Sequence, residues 1–400
     1  MTDSPGAELP QLLLKRHEDK RIRGGHAWVF SNEVDTAASP LTMEPGAAVT
    51  VLDHRRHFLG YALANPHALI CARIMSRDVN MPIGPGLFAD RVRSALALRE
   101  RYCGGQHYRL VYGESDGLPG LVVDRFGDVL VGQIATLAME QRRAQLEQVL
   151  RDLLQPRLIV WKNESGARDL EGLPHELRCE GGELPEAVEV IEAGLRFTAP
   201  LASGQKTGWF YDQTANRALL RSFLMPGQTV LDVCSYVGGW AVAALTAGAA
   251  GALCVDSSAG ALQAASANAA ANGFELETRR GDAFDVLAAL HAEGRRFDVV
   301  VVDPPAFVKR RKDLPKGEAA YRKLNQLALQ LATDEALLVS CSCSWHLPAA
   351  RLPELLQSAA THAARSLAII AQGGQSPDHP VHPAMPETRY LKALFARVSR

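Results

Sequence analysis

The sequence predicts an α/β chain: a C-terminal doubly wound parallel sheet, preceded by a small β-rich module and a small α+β segment. Strand-like runs at 230–234, 253–256, 297–303 and 336–342 alternate with Ala/Leu-rich helical stretches at 240–247, 259–272, 283–292 and 319–332. That alternation is the mark of a parallel sheet covered by helices on both faces. Two of the runs, FDVVVVDPPAFVK (297–309) and ALLVSCSCSW (336–345), are apolar and β-branched at the length of buried strands, and they end in Asp303-Pro304-Pro305 and Cys343. Ligands of open α/β sheets bind beyond the carboxyl ends of the strands, so Asp303 and Cys343 are expected as neighbours. Nearer the N-terminus, AAVTVLD, FLGYALA and LICARIM, between residues 47 and 74, form a helix-poor stretch broken by turn residues, the pattern of a compact β module.

At 400 residues the chain exceeds one typical core. Its composition divides it into 1–78, the β module; 79–188, a linking helix and a small α+β segment; and 189–400, the parallel sheet. Hydrophobic residues are 47% and charged residues 22%, enough for packed cores, with no run of 18 apolar residues and no basic-then-apolar leader. A soluble, cytoplasmic protein is the expectation. A formal charge of −1 excludes a strongly basic nucleic-acid binder, so any RNA contact must come from local patches. The seven cysteines are odd in number, scattered and without C-x-x-C spacing. That points away from a disulfide framework or a structural metal and toward a reducing compartment. Most are expected to be inert core residues, and only its place at a strand end sets Cys343 apart.

Residues 1–10 (MTDSPGAELP) read as a loose terminus. The next stretch, LKRHEDKRIRGGHAWVFSNE (14–33), sets Arg16, Arg21 and Arg23 beside His26 and Trp28; cations next to aromatics are what phosphate contacts and base stacking require. The competing reading makes Trp28 and Phe30 core of a small barrel and the cations a solvated face. Asp53-His54-Arg55-Arg56 has the composition of a hairpin tip, and residues 88–102 that of a linking helix ending near Gly104-Gly105. Strands joined by Gly/Pro/Asp turns follow from Tyr108, with GESDGLPG (113–120) a structural turn, a helix at 139–154 and a strand at 158–161.

In the third segment the first strand-to-helix turn runs from Asp232 through Cys234, Ser235 and Tyr236 to Gly238-Gly239, whose glycines let the backbone approach a ligand closely. It is not G-x-G-x-x-G. Cys234 and Tyr236 stand where glycines would be, which argues for a nucleoside ligand without a pyrophosphate. Asp256, followed by Ser257, ends the next strand about 20 residues on, where a carboxylate can take ribose hydroxyls. Gly281-Asp282-Ala283-Phe284 sets a carboxylate beside an aromatic, suited to an adenine amino group and ring. One acid at a strand end is weak evidence, whereas Asp232, Asp256, Asp282 and Asp303 at successive strand ends form a pattern. Lys309-Arg310-Arg311-Lys312 follows the Asp303 strand at once and either neutralises phosphates or forms a solvated loop. A base must leave its stack to reach such a pocket, which calls for an aromatic platform such as Phe307 or Trp345.

With these residues in view, the C-terminal segment resembles the class I S-adenosylmethionine-dependent methyltransferases and their Rossmann-like sheet. Nearly the whole chain is similar to the ribosomal RNA large-subunit methyltransferase I family, which forms 5-methylcytosine. The resemblance runs through HAWVFSNEV, YRLVYGESDGLPGLVVDRFGD, KTGWFYDQ, the 232–240 turn, DPPAFVK, SCS and DHPVHP with PETRYLKALFARV. It implies a PUA-like RNA-binding domain at 1–78, S-adenosylmethionine as cofactor, large-subunit (23S) ribosomal RNA as partner, and homodimeric assembly. It also implies cofactor contacts from Asp232, Tyr236, Gly238, Asp256, Asp282 and Asp303, with Ser257 and Pro304 beside them. Lys206, Thr207, Tyr211 and Asp212 then belong to a segment closing over the donor; the alternative for that segment is an ordinary strand-to-helix connection.

Carbon 5 of cytosine is a poor nucleophile and needs covalent help. A thiolate adding to carbon 6 makes carbon 5 enamine-like, while an acid hydrogen-bonds the ring nitrogen that gains charge. Cys343 is the candidate nucleophile and Asp303 the acid. Cys341, two residues earlier and on the same strand face, is the competitor, and the family's SCS picks Cys343. A related group of 5-methylcytosine enzymes carries a second cysteine after the Asp-Pro for product release, where this chain has Pro305, Ala306 and Phe307. Two rivals stay open. One is a methyltransferase for a guanine or adenine amino group, since a DPP-aromatic motif serves that chemistry without a cysteine. The other is a PUA-type RNA-binding protein that has lost activity.

Overall fold

A computed structural model describes residues 9–400, so nearly all of the loose terminus expected at 1–10 lies outside the described residues. The chain forms two units: Met1–Pro185 with Asp378–Thr388, and Glu186–Pro377 with Arg389–Arg400.

In the first unit the β-module runs pair as a five-stranded sheet in the order Gln11–Leu13, Ala48–Leu52, Phe58–Ala64, Ile70–Ser76, Trp28–Phe30. Alternate side chains, among them Val49, Val51, Val29 and Ile74, close its core. At the expected hairpin tip the Asp53 carboxylate accepts from the backbone N–H groups of Arg55 and His57. The linking helix spans Pro85–Tyr102, beginning earlier than expected because Pro85 takes the first helical position, where its missing N–H costs nothing. Its Leu87, Phe88 and Val92 share a core with Leu110, Val111, Leu121 and Trp161 from a second five-stranded sheet, ordered Glu176–Glu180, Leu158–Asn163, Val129–Ile134, Leu121–Phe126, His107–Tyr112. The single helix expected at 139–154 is broken into Leu137–Glu140 and Arg143–Leu154, since the backbone of Arg142 leaves the helical region (φ −105°, ψ 11°) while its guanidinium donates to the Gly46 and Ala138 carbonyls.

Asp378–Thr388 was expected within the C-terminal domain and instead belongs to the first unit. Polar anchoring is the reason. Arg99 donates to the Asp378 carbonyl, the backbone N–H of Arg109 donates to the Asp378 carboxylate, and the N–H of Ala27 points at the Met385 sulfur.

The second unit carries a seven-stranded sheet in the order Glu277–Arg280, Gly251–Asp256, Thr229–Val233, Phe297–Val302, Ala332–Ser342, Lys392–Ser399, Ser366–Gly373. The first five strands are parallel; Lys392–Ser399 is antiparallel to both its neighbours. Successive side chains of the central strands feed opposite cores. Leu231, Val300, Val302 and Leu338 enter one, and Val230, Val299, Val301 and Val339 the other, which explains their unbroken apolar character. Strand order reverses between Thr229–Val233 and Phe297–Val302, the place where such sheets open a crevice. No helix among the described residues is long and apolar enough to cross a membrane.

Candidate active site

Beyond the carboxyl ends of these parallel strands lies a cavity of about 510 Å³. The turn after Thr229–Val233 forms one wall. Cys234, Tyr236 and Gly238 all have positive φ (62°, 50° and 80°), so two of the residues that stand in place of glycines hold the left-handed conformation glycine favours, a strained state typical of ligand-binding turns. Asp256 stabilises the turn: its carboxylate accepts from the backbone N–H groups of Tyr236 and Ser258, both at 2.9 Å. At Gly238 a Cβ would come within 3.0 Å of the Ala265 Cβ, so a glycine is required there for packing as well as for φ. Asp282 caps the helix Ala283–Ala292 by accepting from the Phe284 N–H.

Of the expected cofactor residues, Lys206, Asp212, Tyr236, Asp256, Ser257, Asp282, Asp303 and Pro304 line the cavity. Asp232, Thr207 and Tyr211 do not; they are buried behind it, and Gly238 acts through the turn. Asp232 sits inside its strand rather than at its end, accepting from the Ala241 N–H at 3.1 Å, and burial raises its carboxyl to about 8. Its role is to anchor the start of the helix Gly239–Thr246.

Asp303 is held by two neutral donors, the Gln213 amide and the Trp240 indole, each 3.0 Å from the same oxygen. Burial raises its carboxyl to about 6, against the pull of the Trp240 hydrogen bond. Gln213 is itself oriented by Asn216. Below it Arg217 makes a bidentate pair with Glu192 at 2.6 Å, to which Trp209 and Thr214 also donate. The sequence places Gln213 in the KTGWFYDQ segment expected to close over the donor, with no hint of its bond to Asp303, and gives Trp240, at the end of the turn, no role at all. Their signal was being polar-tipped residues in ligand-facing segments.

Cys343 lies one residue past its strand, at the cavity wall, with its thiol pointing at the Pro304 carbonyl at 3.8 Å. Burial pushes that thiol up to about 11, the Lys206 ammonium drawing it down and Asp303 opposing. Cys341 is fully buried in the core with Val339 and Phe395 and does not line the cavity. A buried hydroxyl cluster fixes the Cys343 loop: Tyr321 bridges Ser342 at 3.0 Å and Ser344 at 2.9 Å, and Ser344 also accepts from the Val308 N–H. This ties the loops following the Asp303 and Cys343 strands together. Lys392 donates to the Ser344 and Leu347 carbonyls, and its burial draws the ammonium down to about 8.

The expected RNA residues divide. Phe307 lines the cavity, its ring 4.8 Å from that of Tyr321. Lys309, Arg310, Arg311 and Lys312 are exposed, with Arg310 paired to Asp313, and Trp345 is 44% exposed. In the first unit, Arg16 is exposed, but the others are committed to the fold. Arg21 pairs with Glu33 and contacts His26, Arg23 pairs with Asp19 and Asp53, His26 is buried, and the Trp28 indole donates to Glu114. Those four side chains are thus tied into the fold, some by near neighbours such as Asp19 on Arg23 and others by distant ones such as Glu114 on Trp28.

Residues 12–77 match the family described as PUA-like domain, and residues 114–397 the family described as S-adenosylmethionine-dependent methyltransferase. Proteins of Salmonella arizonae and Salmonella typhi, each named Ribosomal RNA large subunit methyltransferase I, are 34% identical over the full length of both chains. Among solved structures, SMU.776, assigned to the methyltransferases and determined with SAH, matches with TM-score 0.82 at 19% identity, covering 97% of this chain and 99% of that one. Trm5b from Pyrococcus abyssi shares the fold at TM-score 0.52 and 13% identity, covering 70% and 75%. The protein is therefore an S-adenosylmethionine-dependent methyltransferase with an N-terminal PUA-like domain. Its similarity from end to end places it more narrowly: the chain belongs to the ribosomal RNA large subunit methyltransferase I family.

The cavity suits that donor. Asp212, Asp256, Asp282 and Asp303 face it against Lys206 and an Arg217 already paired with Glu192, an acidic balance that favours a cationic sulfonium. Phe284 and Pro304 supply apolar wall for a nucleoside base.

Proposed function

We propose that this enzyme forms 5-methylcytosine in large-subunit ribosomal RNA through a covalent adduct of Cys343. One observation carries the reading: of the two cysteines at the end of the strand, Cys343 opens on the cavity beside Pro304 while Cys341 is sealed in the core. The names of the full-length relatives support the RNA class. In this reading Asp256 and Ser257 hold the ribose of the donor, Asp282 and Phe284 its adenine, and Lys206, Asp212 and Tyr236 close over it. S-adenosylmethionine, when bound, supplies the electrophilic methyl group.

The Cys343 thiolate, favoured by Lys206, adds to carbon 6 of the cytosine. The displaced electron pair makes carbon 5 nucleophilic, and the charge arriving on the ring nitrogen is met by a hydrogen bond from Asp303. A carboxyl raised to about 6 keeps a protonated fraction near neutrality that can donate it. After methylation a base takes the carbon-5 proton, the electron pair of that C–H bond re-forms the double bond between carbons 5 and 6, and the carbon 6–sulfur bond breaks to release the Cys343 thiolate. Phe307, and the Lys309–Lys312 tract beyond it, would stack the extruded base and meet RNA phosphates.

A second reading, methylation of an exocyclic amine of guanine or adenine, is favoured by the height of the Cys343 thiol, about 11, since that chemistry needs no thiolate. The deciding experiment compares Cys343→Ala and Cys341→Ala with wild type, using labelled methyl transfer to ribosomal RNA and nucleoside analysis. Loss in Cys343→Ala alone, with 5-methylcytosine from wild type, supports the covalent route. Activity in both variants, with label on an amino nitrogen, replaces it with the amine reading.

A further inference from the structure

A second cavity, of about 380 Å³, lies within the first unit between the β module and the linking helix, with the 114–117 turn as its floor. Two guanidinium groups face it, Arg77 and Arg91. Arg77 is held by the Ile22 and His26 carbonyls and Arg91 by a long contact to the Met75 carbonyl; among the described residues neither has a carboxylate partner. The two acids of the turn differ. Both oxygens of Asp116 are taken by the buried Arg99, at 2.6 and 2.8 Å, whereas Glu114 accepts from the neutral Trp28 indole. Two guanidinium charges therefore stand against one uncompensated carboxylate. The cavity wall is cationic although the chain as a whole carries −1.

Two donors in this wall, Arg91 Nε and Ser115 Oγ, are buried and make no hydrogen bond among the described residues. An unpaired buried donor is costly, and such groups mark places that something outside the chain completes. Gly117 packs directly on the first of them: its φ is +69°, and a Cβ there would stand 2.9 Å from Arg91 Nε and push the guanidinium away. A planar guanidinium with an unpaired Nε–H, a hydroxyl and a second cation lining one cavity form the donor set that tetrahedral oxyanions take.

We propose that this cavity is a phosphate-binding site, in which Arg91 Nε and Ser115 Oγ donate to the anionic oxygens and Arg77 supplies the second positive charge. Two sources share that chemistry: a backbone phosphate of bound RNA, which rests on the ribosomal RNA reading above, and a free phosphate species, which does not.

The test uses the full chain with Arg91→Gln, Arg77→Gln and Ser115→Ala, each first checked for wild-type circular dichroism and cooperative melting. Inorganic phosphate is titrated against chloride at matched ionic strength while Tm is read. Phosphate should raise Tm in wild type and not in Arg91→Gln or Ser115→Ala. In parallel, binding of a ribosomal RNA transcript is measured at several salt concentrations. If RNA fills the site, Arg91→Gln weakens binding and lowers the slope of log K against log salt by about 0.7–0.9, the loss of one phosphate contact. If the slope is unchanged while the Tm response is lost, the ligand is a free phosphate species and the site still stands. Equal Tm responses and equal slopes in wild type and folded variants overturn the proposal. Should Arg91→Gln not fold, Ser115→Ala, which removes one hydroxyl, decides it. The Tm arm involves neither RNA nor methyl transfer, so an enzyme that makes no 5-methylcytosine would sink the earlier reading and leave this one to its own result.

Discussion

In the first unit, buried Arg99 meets Asp116 at 2.6 Å, Arg109 meets Asp124 at 2.8 Å and Arg168 meets Glu140, which Arg143 shares, at 2.8 Å. In the second, among the described residues, the hydrogen-bond donors to Asp232 and Asp303 are neutral: the Ala241 N–H and the Cys254 thiol on the first, the Gln213 amide and the Trp240 indole on the second. With neutral donors desolvation dominates, so the carboxyls of Asp232 and Asp303 rise to about 8 and about 6. An acid bonded to arginine serves as a cross-link, as Glu192 with Arg217 also does in the second unit, whereas Asp232 and Asp303 feel Arg217 only from beyond hydrogen-bonding distance.

The largest test of that contrast is Asp303→Asn. The amide keeps the shape and can still accept from Gln213 and Trp240, but it cannot exchange a proton. Removing a general acid of this kind costs about 10²–10⁴-fold in rate. Methyl transfer should fall by that factor while Tm stays within a few degrees of wild type. Activity close to wild type would show that Asp303 only shapes the pocket.

The counterpart in the first unit is Arg99→Met, which leaves Asp116 buried and unpaired. Breaking a buried pair from one side costs about 3–5 kcal/mol, to be read as the loss in urea unfolding free energy, and Arg99→Met with Asp116→Leu should recover much of it. A single variant as stable as wild type would mean that the Arg99–Asp116 pair contributes nothing to the stability of the unit.

How far each side of this contrast could be read from the sequence follows from how local its causes are. The runs ending at Asp303 and Cys343 were legible because buried parallel strands advertise themselves by continuous β-branched residues, and Asp256 and Asp282 because they close strands in order. Asp232 was misread as a cavity acid for the same reason: a strand-end carboxylate and one a residue inside the strand differ by a single position. Gln213 and Trp240 on Asp303 span 90 and 63 residues, and Tyr321 reaches Ser342 and Ser344 over 21 and 23; no local pattern contains such pairings. The pairings of the N-terminal segment were hidden for the same cause, since Arg23 finds Asp53 at 30 residues and Trp28 finds Glu114 at 86. The inserted strand Lys392–Ser399 is antiparallel among parallel strands, an arrangement that only the assembled sheet edge dictates.

The smallest and most specific test is a pH series on Asp232→Asn. With its folded carboxyl raised to about 8 and the unfolded one in the ordinary range near 4, the native state binds more protons than the unfolded state throughout the interval between them. Stability contributed by the neutral form is therefore present at low pH and lost as pH rises toward and through 8. Asparagine imitates the neutral form at every pH and can still accept from the Ala241 N–H. Unfolding free energies of variant and wild type should diverge by about 1 kcal/mol between pH 7 and pH 8, in favour of the variant. Parallel pH dependences would mean that Asp232 is already ionised in the folded protein across this range, and the contrast between the two units would then rest on Asp303 alone.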